Sequence, residues 1–246
     1  ITLDTYPYLA GMTYLHALLP SWCQAGSKQD LINRITHPQE RLKIIDNLNV
    51  SGSDGNHGGT VNWPSIVIAG VTKAKNNKYV GQKLIDMAES EGKSPVDFYL
   101  DLIVDEDFRV NCILFAGYEP NVRAIMKHPK HMVGTDGILV GNKPHPRAYG
   151  TFARYLGVYA REEKVITMSG AIARMTSRPA KRLGLKDRGI VKVGYKADLV
   201  LFDATSVLDR STYEDPKVSA QGFENVWIEG IPTLLGGKRT HHTPGR

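Results

Sequence analysis

Two kinds of local sequence pattern meet near Leu185. Before this residue, segments with the apolar spacing of amphipathic helices alternate with short runs typical of strands. From Gly189 onward, short apolar runs are separated by glycine and proline turns. This change predicts an α/β fold up to about residue 185, followed by a small all-β domain over residues 186–246.

Local signals predict individual elements. The motif Ser94-Pro95-Val96-Asp97 has the N-cap, the first-turn proline and the first-turn acid of a helix start. Thr167 is expected to cap a second helix, whereas most of residues 9–65 lack a regular pattern. Strands are predicted at residues 1–8, 65–71, 110–115, 132–136, 191–193, 197–202 and 226–228. Helices are predicted at residues 30–46, 80–91, 121–127, 152–162 and 168–183.

Charge and composition narrow the class of protein. The chain carries 31 Lys and Arg against 25 Asp and Glu, a formal net charge of +6. The densest basic group, within residues 174–188, has helical spacing, so we expect a solvated helix face and no nucleic-acid partner. Cys23 and Cys112 match no zinc or redox spacing, which favours a cytoplasmic location. No stretch reaches the roughly 18 uncharged apolar residues of a membrane span, so no membrane association is expected.

Asp136 is the first candidate for chemistry. It lies in Gly134-Thr135-Asp136-Gly137, at the end of a predicted short strand. Because α/β barrels keep catalytic groups at the C-terminal ends of their strands, a carboxylate there can hold a metal-bound water and accept its proton. An Asp-Gly pair is also a common tight turn, and the tetrapeptide alone leaves both interpretations open.

Arg147 and Tyr6 are candidates for substrate binding. In Pro144-His145-Pro146-Arg147 two prolines stiffen the loop that presents Arg147, whose guanidinium can bind a carboxylate through two parallel hydrogen bonds. A surface ion pair is the alternative. Tyr6 ends the first predicted strand, where its hydroxyl can donate to a substrate carbonyl or an oxyanion. An ordinary core aromatic is the alternative for Tyr6.

In their order along the chain, these segments resemble the N-acyl-D-amino-acid deacylases (D-aminoacylases) of the metal-dependent amidohydrolase superfamily. The resemblance rests on Asp4-Thr5-Tyr6-Pro7-Tyr8-Leu9-Ala10-Gly11, Gly134-Thr135-Asp136-Gly137, His145-Pro146-Arg147 and Gly150-Thr151-Phe152. The run Ala197-Asp198-Leu199-Val200-Leu201-Phe202-Asp203 is similar to the passage from barrel to β-sandwich in the wider superfamily. The match spans essentially the whole chain, and residues 8–65 are its least typical part.

The resemblance implies an architecture. Residues 1–185 would be the C-terminal part of a (β/α)8 TIM-like amidohydrolase barrel, and residues 186–246 the C-terminal part of a small β-sandwich domain. Residues 1–6 would form the seventh barrel strand and residues 132–136 the eighth. Residues 9–110 would be a lid-like insertion over the barrel mouth.

The resemblance also implies roles for single residues. Asp136 matches the catalytic aspartate, which activates the hydrolytic water and contacts the metal. Arg147 matches the residue that binds the substrate carboxylate, and Tyr6 matches a substrate-contacting tyrosine. Met12 stands where family members often have a small polar residue, which predicts an altered contact to the substrate.

The cofactor implied is zinc, but its main ligands have no counterpart here. The family's His-x-His pair, its bridging cysteine or modified lysine, and its two later histidines are all missing from the sequence. Because a zinc site needs three or four protein ligands, Asp136 alone cannot retain the ion. We therefore expect this chain to be part of a longer enzyme, with the N-terminal half as its partner, and the isolated fragment to be inactive.

The reaction implied is hydrolysis of the amide bond of N-acyl-D-amino acids, with Asp136 as the acid–base group. One alternative is a dihydroorotase-like or other cyclic-amide or acyl-amino-acid amidohydrolase, which Arg147 and Tyr6 disfavour. The other alternative is a non-catalytic fragment that lacks the metal site.

Overall fold

The computed structural model describes residues 1–245. The chain divides into two compact units, each made of separate stretches of sequence. Unit 1 contains Ile1–Leu9, Gly117–Gly137 and the chain from Pro146 onward, and unit 2 contains Ala10–Ala116 and Ile138–His145. No helix within residues 1–245 is long and apolar enough to cross a membrane.

Strands and helices alternate up to residue 182, and between there and residue 245 the only regular elements are strands. The strands are β1 (Leu3–Thr5), β2 (Gly11–Tyr14), β3 (Ile66–Gly70), β4 (Asn111–Leu114), β5 (His131–Val133), β6 (Leu199–Phe202), β7 (Phe223–Ile228), β8 (Ile231–Leu235) and β9 (Lys238–Arg239). The α-helices are α1 (Ser21–Gln24), α2 (Lys28–Thr36), α3 (Pro38–Asp46), α4 (Leu84–Ser90), α5 (Pro95–Asp105), α6 (Glu119–Lys127), α7 (Arg147–Arg154), α8 (Met168–Met175) and α9 (Ser177–Arg182). Two π-helical segments, Asn47–Ser51 and Tyr155–Glu162, continue α3 and α7.

In unit 1, β1 and β5 form a parallel pair in which Leu3 is opposite His131 and Thr5 is opposite Val133. Both strands are shorter than predicted, so that Tyr6 and Asp136 lie just beyond their C-terminal ends. The core of this unit consists of apolar side chains from α6, α7, the following π-helical segment and α8, together with a residue of the C-terminal region. Its buried members are Val122, Met126, Ala153, Tyr155, Leu156, Tyr159, Ala160, Ile166, Ala171 and Val207.

The C-terminal region of unit 1 forms a four-stranded antiparallel sheet in the order β6-β7-β8-β9. The strand predicted at residues 191–193 is wrong, because this segment has no strand partner. Gly189 and Gly194 both adopt positive φ on either side of it, and Val191 and Val193 are almost fully exposed. The apolar residues there therefore belong to a turn.

Unit 2 contains a three-stranded antiparallel sheet in the order β2-β4-β3. β2 lies in the stretch that we expected to be irregular, and its Gly11 pairs with Leu114. The helix start predicted at Ser94 is confirmed, because the Ser94 side chain accepts a hydrogen bond from the Asp97 amide and α5 begins at Pro95. α5 supplies six buried side chains to this unit, which include the fully buried Tyr99.

Prolines divide two helices that we predicted as continuous. The expected helix at residues 30–46 is two helices, because Pro38 holds His37 in an extended conformation between α2 and α3. The expected helix at residues 168–183 is interrupted at Thr176, with φ −125° and ψ −82°. Pro179 has no N–H for the Met175 carbonyl, so α8 cannot continue through it. The predicted cap at Thr167 is confirmed, since its hydroxyl accepts from the Gly170 amide.

Candidate active site

Tyr6 and Asp136 follow neighbouring parallel strands of unit 1. Tyr6 comes directly after β1, and Asp136 comes three residues after β5. Because the carboxyl ends of parallel strands lie at one edge of a sheet, this topology brings the two side chains to the same edge. Asp136 has φ +45°, a conformation that aspartate tolerates better than most residues, and Gly137 packs against Ala148 of α7.

Arg147 is the first residue of α7 and forms a salt bridge with Asp136. Its Nη2 lies 2.9 Å from Oδ2 of Asp136. The two partners differ greatly in exposure, at 1% for the Arg147 side chain and 69% for that of Asp136. A buried guanidinium therefore points at a carboxylate that is open to a small molecule.

Tyr6 completes the group. The Arg147 guanidinium carbon lies 4.4 Å from the centroid of the Tyr6 ring, within the range of a cation–π contact. The ring therefore helps to hold the positive charge that faces Asp136. The structure thus brings together Arg147 with Asp136 and Tyr6, the three candidates named from the sequence, and their roles stay predictions.

His145 and Met12 do not join this group. Both belong to unit 2, where His145 is fully buried and its Nε2 lies 2.9 Å from the carbonyl oxygen of Ala10. The His145 amide donates to the Met12 sulfur at 3.2 Å, and Met12 is buried too. Met12 therefore holds His145 through this hydrogen bond within unit 2, while its predicted effect on substrate contacts stays a prediction.

His131 is also structural. It is fully buried in β5, with Nε2 3.3 Å from the Tyr155 hydroxyl, which itself donates to the Thr5 carbonyl at 2.9 Å. Burial, reinforced by the positive charges of Arg174 and Arg178, lowers the pKa of His131 to about 4. This imidazole is therefore neutral near pH 7. Through the Tyr155 hydroxyl it links β5 to the carbonyl of Thr5 in β1.

Sequence reasoning missed a polar cluster beside the site. The Tyr8 hydroxyl donates to Oδ2 of Asp209 at 2.6 Å, although 201 residues separate them in the chain. Arg154 of α7 donates from Nε to the Pro7 carbonyl at 2.8 Å. Tyr8 and Gly150 lie in the quoted motifs, but no local pattern singles out Asp209, because its partners are distant in sequence.

Comparison with known proteins places this chain in a family. Residues 82–233, more than half of the chain, match the sequence model of the Amidohydrolase family. The chain belongs to the amidohydrolase family. Among its amidohydrolase relatives, an N-acyl-D-glutamate deacylase of Alcaligenes xylosoxydans xylosoxydans is 43% identical over 134 residues, 54% of this chain and 27% of that protein. A D-aminoacylase of the same organism is 39% identical over 166 residues, 68% of this chain and 33% of that protein.

Solved amidohydrolase structures have the same fold over the part that this chain spans. A D-aminoacylase, described with a binuclear metal center, gives a TM-score of 0.73 at 29% identity and covers 98% of this chain and 41% of its own. An N-acyl-D-glutamate deacylase from Bordetella bronchiseptica, complexed with zinc and a phosphonate inhibitor, gives a TM-score of 0.71 at 29% identity. The match covers 94% of this chain and 39% of that protein. The chain therefore spans about two fifths of the length of these proteins.

The residues described do not form a metal site by themselves. Nowhere within residues 1–245 do three or more His, Cys, Asp or Glu side chains come together as possible ligands. Asp136 offers one carboxylate, and its Oδ2 is bonded to Arg147. Since zinc sites use three or four protein ligands, Asp136 is at most one of them.

Proposed function

We propose that the complete amidohydrolase hydrolyses the amide bond of N-acyl-D-amino acids and that this chain supplies Asp136, Arg147 and Tyr6 to its active site. The observation that carries the proposal is the 2.9 Å contact between the buried guanidinium of Arg147 and the exposed carboxylate of Asp136. It juxtaposes an anion-binding group and a proton acceptor. The relatives that are N-acyl-D-glutamate deacylase and D-aminoacylase support the substrate class.

In this proposal Arg147 binds the α-carboxylate of the substrate. A guanidinium can bind a carboxylate through two parallel hydrogen bonds. These bonds fix the orientation of the carboxylate, and the positive charge attracts its negative charge. Because the Arg147 side chain is 1% exposed, its position is set by the protein before the substrate arrives. Because the guanidinium is buried, the exposed Asp136 side chain must shift for the α-carboxylate to reach it; the two carboxylates then share Arg147, and the scissile amide lies close to the aspartate.

Asp136 is proposed to carry protons during the reaction. As a carboxylate it accepts a proton from the water whose oxygen bonds to the amide carbon. It then returns this proton to the amide nitrogen as the carbon–nitrogen bond breaks. The products are a carboxylic acid and a D-amino acid, and Asp136 ends in its initial state. The Tyr6 hydroxyl is proposed to donate to the substrate.

We propose zinc as the metal of the complete enzyme, with its main ligands in residues that this sequence does not contain. Relatives described with zinc or with a binuclear metal center support this proposal. Because the described residues do not form the site, the proton steps above are assigned to Asp136 alone. The test is the zinc content of the dialysed complete enzyme, compared with that of this chain expressed alone, which we expect to be far below one ion per chain.

The proposed architecture follows the same relatives. We propose that residues 1–185 are the C-terminal part of a (β/α)8 barrel, with residues 9–110 as a lid-like insertion, and that residues 186–246 are part of a small β-sandwich. The parallel pairing of β1 with β5 supports the first assignment. The antiparallel sheet β6-β7-β8-β9 supports the second.

A cyclic-amide substrate is the second candidate, since a dihydroorotase of Lactobacillus acidophilus is 27% identical over 86 residues. Steady-state hydrolysis by the complete enzyme separates the candidates. The panel is N-acetyl-D-glutamate, N-acetyl-D-aspartate and N-acetyl-D-leucine, their L enantiomers, and dihydroorotate. We expect turnover of at least one D substrate and a strong preference over its L form. Turnover of dihydroorotate alone, or of no compound by zinc-loaded enzyme, would refute the proposal.

A further inference from the structure

Asp209 is a buried carboxylate outside the three-residue site of Asp136, Arg147 and Tyr6. Its side chain is 3% exposed. Oδ2 accepts the Tyr8 hydroxyl at 2.6 Å, and Oδ1 accepts the Ser211 amide at 2.9 Å. The guanidinium of Arg154 is 3.9 Å from Oδ2. A buried charge persists only when such partners compensate its lost hydration, so Asp209 requires this arrangement around it.

Arg154 holds the same segment from α7. Its Nε donates to the Pro7 carbonyl at 2.8 Å, and its guanidinium carbon lies 5.0 Å from the centroid of the Tyr8 ring. Burial and the hydrogen bond to Asp209 raise the pKa of Tyr8, so its hydroxyl stays a donor. The segment that directly follows Tyr6 is thus held at two points, the Pro7 carbonyl by Arg154 and the Tyr8 hydroxyl by Asp209.

Gly150 makes this close approach possible. A Cβ at Gly150 would lie 1.9 Å from Oδ1 of Asp209 and 2.6 Å from the Tyr8 hydroxyl. Gly150 and Arg154 follow Arg147 in α7 by three and seven residues, which places all three on one side of the helix. Asp209 therefore connects both the Tyr6 segment and the helix that begins with Arg147.

We propose that Asp209 is a positioning residue that sets the Tyr6 ring against the Arg147 guanidinium, through its contacts with Tyr8 and α7. This inference rests on the proposed function, in which Arg147 binds the substrate carboxylate. In it, Asp209 acts through these neighbours and has no direct role toward the substrate. Its effect should therefore appear in how well the substrate is bound and oriented, since small displacements of binding groups cost much of their contribution.

The kinetic test uses Asp209→Asn and Tyr8→Phe in the complete zinc-loaded enzyme. Both weaken the 2.6 Å bond between these residues with little change in volume. We expect KM for the best N-acyl-D-amino acid to rise about tenfold in each, with kcat changed by less than about threefold. The double variant should be little worse than either single one, because both substitutions act on the same contact.

Asp203→Asn is the matched control. This exposed carboxylate also caps backbone and hydroxyl groups of its own segment, at Thr205 and Ser206. It should leave KM unchanged. An unchanged KM in both Asp209→Asn and Tyr8→Phe, with only kcat or the melting temperature reduced, would show that Asp209 merely stabilises the fold.

A crystal structure of the Tyr8→Phe enzyme tests the positioning role without any measurement of hydrolysis. We expect the Tyr6 ring to be displaced from its 4.4 Å position on Arg147. An undisplaced ring overturns the positioning role. If the wild-type enzyme hydrolyses no N-acyl-D-amino acid, the proposed function fails, and the ring position alone decides the structural part of this inference.

Discussion

The guanidinium of Arg147 lies 2.9 Å from the carboxylate of Asp136, and the arginine is buried while the aspartate is open to solvent. In the proposed reaction, the substrate α-carboxylate comes to share this guanidinium with Asp136. In this proposal the same contact would anchor the substrate and place the proton acceptor near the bond that breaks. Each of the two residues can be tested by a substitution that keeps its size or its charge.

Replacing Arg147 by lysine keeps the charge but removes the two-pronged donor geometry. We predict that kcat/KM for N-acyl-D-amino acids falls by about 100-fold, mainly through KM, because two charge-assisted hydrogen bonds cannot both be remade. The control is Arg182→Lys, at an exposed residue whose Nε bonds to the Thr2 hydroxyl. A KM within experimental error of the wild-type value in Arg147→Lys would contradict the role given to Arg147.

Tyr6 contributes a ring and a hydroxyl that two variants separate. Tyr6→Phe keeps the ring over Arg147 and removes the donor, so we predict a loss of kcat of about tenfold. Tyr6→Leu also removes the cation–π contact, which should add a rise in KM. Equal kinetics for the two variants would mean that the ring does not hold the guanidinium.

Adding a methyl group at Gly150 tests the packing around Asp209. The new Cβ would meet Oδ1 of Asp209 at 1.9 Å, so Gly150→Ala should lower the free energy of unfolding by about 1–3 kcal/mol despite the better helix propensity of alanine. Gly59→Ala is the matched control, since its Cβ would have no atom nearer than 3.6 Å. Urea unfolding of both variants measures the difference, and equal stabilities would argue against this close approach.

The lowered pKa of His131 predicts that the free energy of unfolding decreases in acid. Its pKa is about 4 in the folded protein against 6.5 when unperturbed, so the unfolded chain binds more protons between these values. The stabilisation by neutral His131 is complete above pH 6.5 and is lost as the pH falls toward 4, by up to a few kcal/mol. His131→Gln should flatten the unfolding free energy across this window, whereas the control His37→Gln, at an exposed residue that is not among the groups that shift the His131 pKa, should not. A wild-type profile already flat there would contradict the prediction.

Elements with local signals were predictable from the sequence. The start of α5 follows from a cap at Ser94, a proline and an acid within four residues. The sequence also singled out Tyr6, Asp136 and Arg147 as candidates, but their local patterns left a structural alternative open for each, and the family resemblance alone implied their roles, which stay predictions. What it missed depends on partners far along the chain: β2 is stabilised as a strand by pairing with β4, about 100 residues later.

The wrong predictions, like the missed elements, depend on conformations and contacts that the local sequence pattern does not show. Alternating valines at residues 191–193 fit a strand, but flanking glycines in the left-handed region turn the chain before it can pair. The role of Gly150 depends on Asp209, 59 residues further on, whose carboxylate occupies the space of a side chain. Periodicity carries no information about such contacts, so a three-dimensional structure was needed to find them.

The most direct test of the central claim is the turnover of Asp136→Asn in the complete zinc-loaded enzyme, with its best N-acyl-D-amino acid. Asparagine keeps the shape and can still accept from Arg147, but it cannot take up a proton. We predict that kcat falls by about 10²–10⁴-fold while the enzyme stays folded. Asp187→Asn, at a half-exposed carboxylate 3.6 Å from Arg188, should keep full activity. An Asp136→Asn enzyme with a kcat close to that of the wild type would contradict the assignment of Asp136 as the group that carries the proton.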